Sequence, residues 1–155
     1  MALFLAAWCA IRTTRPTTGI RGAELTLTLE EANRIADGAI AKANELKIRI
    51  SVAVCDAGGR LVAFQRMNNA IWASVYGSQG KAVASAAFGR ASGELAERAH
   101  QPTPAGIAAA EGGHMIMGQG AVPILRDGTV AGACGVGGGT AQQDEDCARA
   151  GAAKL

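Results

Sequence analysis

Aromatic side chains are scarce in this chain: three Phe, two Trp and one Tyr among 155 residues. A large ring-packed core is therefore excluded, and the interior has to be built from aliphatic and small residues. Histidine is scarcer still, with only His100 and His114. The cysteines Cys9, Cys55, Cys134 and Cys147 form no CxxC or CxxxC pair, which removes the close thiolate spacing of a structural zinc site. Cys55 and Cys134 lie in apolar strand-like runs and read as buried small hydrophobes, a usage that suits a reducing cytoplasm. There is no Gly-Lys-Ser/Thr, so the cation and magnesium-binding hydroxyl of a P-loop are missing. The apolar run from Ala2 to Ile11 is too short to span a bilayer, and no stable membrane association is expected.

Glycine, by contrast, is abundant, at 21 residues, about twice its ordinary share of about 7%. Hydrophobic residues make up 49% and charged residues 18%, the balance of one compact domain. Small side chains at that density let backbones approach closely, within a subunit or between subunits, and predict self-association. Charge is uneven. Arg12, Arg15 and Arg21 precede the first acid, Glu24, while the remainder is nearly neutral and offers no basic face for nucleic acid. Residues 1–23 read as an N-terminal extension, and 24–155 as the folded domain. The extension lacks the leading positive residues of a secretory signal. The localisation read from this is cytoplasmic, with export through the extension left open.

Within the domain, Thr28 and Glu31 form a capping-box pattern ahead of apolar residues at Ala32, Ile35, Ala36, Ala39, Ile40, Ala43 and Leu46, one face of a helix. Strands are predicted at "IRISVAVC" and "RLVAFQRM", joined by the turn Asp56-Ala57-Gly58-Gly59. A helix from Trp72 to Gly89 should bury Val75, Ala82, Val83 and Ala86. Ser92 is expected to cap a shorter helix, "GELAERAH", and "QPTPAGIAAAEGG" is a Pro- and Gly-bounded loop or short helix. Three further strands are predicted at "HMIM", "AVPILR" and "TVAGACGV". Asp127-Gly128 is a hairpin turn, and Pro123 belongs at a strand start or sheet edge. The fold class is thus α/β (α+β), a five-stranded, mostly antiparallel sheet with flanking helices.

The glycine-rich stretch "GACGVGGGTAQQDEDCA" invites a nucleotide reading that its chemistry rejects. After Gly135 and Gly137, Thr140 stands where a dinucleotide fingerprint needs its third glycine. Asp144, Glu145 and Asp146 load the first helical turns with negative charge, which repels phosphate. Thr140 and Gln143 instead form a capping box on a final helix reaching about Ala153, and the glycines permit a tight strand-to-helix turn.

"VAVCDAGGRLVAFQRMNNA", "KAVASAAFG" and "GQGAVPILRDGTVAGACGVGGGTAQQDEDCA" together resemble the GlcG/HbpS-like family, which includes the C-terminal domain of PduO-type proteins. The resemblance runs in register over about residues 25–155. It implies a profilin-like domain and homo-oligomers, higher than dimers. It also implies haem or another planar or anionic small molecule as ligand; the residue chemistry above already argues against a nucleotide and a structural zinc.

Candidate site residues follow from the chemistry of such a ligand. Arg66 and Lys81 are cations suited to acidic groups, although Lys81 has the equal alternative of snorkelling to solvent. His114 and Met115 are read as pocket lining, with Phe88 and Gly120 beside them, the alternative for His114 being a half-buried, hydrogen-bonded imidazole. Each of these has a structural alternative, Phe88 as core above all. Iron ligation falls to His100 or His114, against a helix-terminal role for His100. Thr103, between two prolines, is the loop hydroxyl nearest the haem-contacting region of some relatives. Glu94 and Glu97 are better explained by pairing with Arg90 or Arg98 than by a cation. A competing reading is a small enzyme, an isomerase, tautomerase or hydratase acting on a carboxylate, with His114, Asp56 or Glu145 moving the proton.

Overall fold

A computed structural model describes residues 26–155. The expectations placed on residues 1–23 lie outside the described residues. The chain runs through α1 (Leu29–Glu45), β1 (Ser51–Asp56), β2 (Leu61–Arg66), α2 (Ser74–Phe88) and a 3-10 helix (Ser92–Arg98). It continues through α3 (Pro102–Ala110), β3 (Ala121–Arg126), β4 (Thr129–Gly137) and α4 (Ala141–Ala152). The fold is α+β: an antiparallel sheet in the order β2-β1-β4-β3, flanked by helices.

Local chemistry accounts for most of these elements. Thr28 accepts the Glu31 N–H, and the Glu31 carboxylate accepts the Thr28 N–H at 2.8 Å. That second bond, with Arg126 beside it, holds the Glu31 carboxyl below the usual carboxylate range. Thr140 and Gln143 repeat the device at the head of α4. Asp127 and Gly128 both take positive φ, 51° and 77°, the geometry a two-residue hairpin demands. Pro123 sits in the edge strand β3, as a residue without an N–H should.

The two faces of the sheet are packed differently. On one, Ile35, Ala36 and Ala39 of α1 and Cys147 and Ala148 of α4 meet Ile50, Val52, Val54, Cys134 and Val136 in the main core. On the other, α2 lies almost against the backbone of β4. A Cβ at Gly135 would run into the Ser78 carbonyl oxygen and the Ala82 nitrogen, so glycine is required there by contact. The buried stripe of α2 is accordingly Ser74, Ser78, Ala82, Ser85 and Ala86. Val75 and Val83, expected in that stripe, are only half-buried.

Two further expectations are corrected. Among the described residues the sheet has four strands, because His114–Met117 is not one of them. The Ile116 N–H donates to the Gly80 carbonyl of α2 at 2.9 Å, and the Ile116 side chain lies over Gly80. The segment thus docks on a helix, and Met115 and Met117 join a satellite cluster with Leu95 and Phe88. Ser92 does not cap its helix. Its hydroxyl accepts the Ala121 N–H at 2.9 Å, stitching the 3-10 helix to β3.

Candidate functional site

A cleft of about 730 Å³ opens between the end of α2, the 3-10 helix and α3. Phe88, Leu95, Ile107 and Met117 give it an apolar wall, and Arg90 and Arg98 stand beside them with Thr103 at the start of α3. Among the described residues, neither arginine side chain has an ion-pair or hydrogen-bond partner. α3 is unusual in that none of its nine residues is buried, although Ala105, Ile107, Ala108, Ala109 and Ala110 are apolar. Two cations without a partner among the described residues thus stand beside a largely exposed apolar helix.

Of the residues singled out from the sequence, Phe88 and Thr103 fall in this cleft. Met115 is buried in the cluster that also holds Phe88 and Met117. His100 is exposed and directly precedes Gln101 of the cleft lining. His114 is exposed rather than half-buried and lines a different, smaller hollow. Glu94 and Glu97 are both exposed on the 3-10 helix, and neither forms an ion pair among the described residues.

Arg66 and Lys81 do not converge on one group. Arg66 is exposed at the end of the edge strand β2. Lys81 is buried and answers Asp144 of α4 at 2.8 Å, with a further bond to the Gln119 carbonyl at 3.1 Å. The other Asp144 oxygen accepts the Gly139 N–H at 2.8 Å. Gly120 takes φ +130°, and a Cβ there would strike the Lys81 ammonium, so its place in the structure is to make room for this ion pair. Lys81 thus does hold a carboxylate, and it is the chain's own.

Two of the three groups weighed as proton carriers, Asp56 and Glu145, are committed to bonds of their own. One Asp56 oxygen accepts the N–H groups of Gly58 and Arg60, both at 2.9 Å, fixing the hairpin turn. Glu145 is buried and bonded to the Arg149 Nε at 3.0 Å. Burial pushes the Cys55 thiol up to about 12 and that of Cys147 to about 11, and drives Cys134 upward too. All three stay protonated and unreactive. Among the described residues, no cluster of three or more His, Cys, Asp or Glu side chains is placed to hold a metal ion, and no helix is long and apolar enough to cross a membrane.

Sequence reasoning missed Arg90, Arg98, Leu95 and Ile107. The available signal was "PTPAGIAAA", a helical stretch with no charged residue to give it a solvent face.

Comparison with known proteins agrees with this architecture. A 15.0 kDa protein encoded in the dhaT-dhaS intergenic region of Citrobacter freundii is 32% identical over 121 residues, covering 77% of this chain and 84% of that protein. The crystal structure of a Streptomyces reticuli HbpS double mutant superposes with a TM-score of 0.75 at 28% identity, covering 100% of this chain and 98% of the other. A crystal structure of a PduOC:haem complex gives a TM-score of 0.75 at 26% identity, covering 84% and 95%. The sequence profile described as "Haem degrading protein HbpS-like" matches residues 27–153, and the chain belongs to that HbpS-like family.

Proposed function

We propose that this protein binds haem, or a closely related planar tetrapyrrole bearing carboxylates, in the cleft between α2, the 3-10 helix and α3. The observation that carries the reading is the pairing of an apolar wall with two unanswered arginines in a space of about 730 Å³. That volume lies within the range of about 300–1,000 Å³ usual for small-molecule sites. The likeness to a protein solved as a haem complex points the same way.

The donor set fits such a ligand. Phe88, Leu95, Ile107 and Met117 supply apolar surface for the ring face. Arg90 and Arg98 supply guanidinium groups for the propionates, an interaction that planar donors make well. Iron would draw its protein ligand from the Met117 thioether, the Thr103 hydroxyl or the neighbouring His100 imidazole, thioether and imidazole being common choices. When bound, haem supplies iron-centred redox and oxygen chemistry; the chain's own residues bind, orient and shield the ring. Self-association completes the proposal. Ile71, Trp72 and Tyr76 expose between 63% and 71% of their surface around the start of α2, an apolar patch of the kind that oligomers cover. No observation brings Asp56, His114 and Glu145 into one site, and the reading as a carboxylate isomerase, tautomerase or hydratase gains no support.

Haemin titration followed at the Soret band tests the site. Wild-type protein is expected to give a saturable, shifted band. Ile107→Asp, at a partly exposed position that spares folding, is expected to weaken it at least ~10-fold by burying a carboxylate against the ring. Absence of a band in the wild type, or an unchanged titration in Ile107→Asp, would overturn the proposal.

A further inference from the structure

A second hollow, of about 230 Å³, opens between the β1–β2 hairpin and α2. Its floor is Ala53, Cys55 and Ala82, each at most 2% exposed. Its polar groups are Arg60 from the hairpin, Gln79 from α2 and His114 from the segment after α3. Among the described residues, neither the Gln79 amide nor the His114 imidazole has a hydrogen-bond partner. The Arg60 guanidinium gives one nitrogen to Glu111 at 2.9 Å, which ties the hairpin to the end of α3 and leaves its remaining N–H groups uncommitted. Gly112 and Gly113, at φ 69° and 79°, make the turn that brings His114 to the opening. No acidic side chain lines the hollow.

We propose that this hollow is a second binding site, separate from the haem cleft, for a short-chain monocarboxylate. The carboxylate is received by Arg60, Gln79 and His114, and the alkyl tail rests on Ala53, Cys55 and Ala82. The space is too small for a tetrapyrrole, and among the described residues Arg60 is the one arginine or lysine that lines it. Three donor side chains lining a hollow with an apolar floor match a molecule with one charged end and one greasy end. Cys55 contributes contact only, since its buried thiol stays protonated.

The test is a titration of the full chain with butyrate, read by NMR at the His114 ring and the Gln79 side-chain amide, with butyramide as the uncharged control. Saturable shifts at both groups are expected with butyrate and at least ~10-fold weaker binding with butyramide. His114→Ala and Gln79→Leu should each weaken butyrate by ~10-fold or more, while the haemin titration of both variants stays that of the wild type. Unshifted His114 and Gln79 resonances, equal binding of butyramide, or wild-type butyrate affinity in both variants would overturn the site, whatever the outcome at the cleft.

Discussion

Lys81 and Arg98 are both cations on helices packed beside the same sheet, yet only the first has its charge answered from within. Lys81 is buried, spanned by Gly120 and paired with Asp144 at 2.8 Å. Arg98, with Arg90, faces a cleft walled by Phe88, Leu95, Ile107 and Met117 and has no partner among the described residues. A cation fully committed inside the fold serves the fold, because releasing it to a ligand would strand a buried carboxylate. A cation left facing an apolar cleft pays no such penalty on meeting an anion. The difference separates a structural clamp from the surface proposed to bind.

The largest effect should come from breaking the clamp. Asp144→Ala leaves a buried ammonium unpaired and is expected to cost about 3–5 kcal/mol of stability, measured by urea denaturation. The double change Lys81→Met with Asp144→Leu should recover much of that loss, since the charge and its counter-charge leave together. A smaller loss is expected from Thr140→Ala, which removes the cap at the head of the helix carrying Asp144. It should cost about 1 kcal/mol in the same assay, with haemin binding intact. Least of all, Arg66→Ala, at an exposed strand end, should change stability by no more than about 0.5 kcal/mol and leave haemin affinity unchanged. A marked loss of haemin in that variant would erase the distinction between the two regions.

What the sequence made legible was local. The capping boxes at Thr28 and Thr140, the Asp127-Gly128 turn and the apolar face of α1 all depend on residues a few positions apart, and each is present. The fifth strand failed because "HMIM" has strand composition but finds its backbone partner in Gly80 of a helix, a choice that tertiary packing makes. The same limit applied to Lys81. Its partner lies 63 residues away, and no local pattern distinguishes a lysine awaiting a ligand from one awaiting Asp144. The cleft was half visible: Phe88 and Thr103 were singled out, whereas Arg90 and Arg98 were read as helix ion-pair partners for Glu94 and Glu97. In the structure those pairs do not form among the described residues, and both arginines line the cleft proposed as the site.

The most direct measurement is haemin affinity in the double variant Arg90→Ala/Arg98→Ala, set beside Arg66→Ala in the same titration. If the unanswered cations hold the propionates, the double variant weakens binding at least ~10-fold, the least expected from losing charge-assisted hydrogen bonds, and Arg66→Ala leaves it as in the wild type. Wild-type affinity in the double variant would contradict the account.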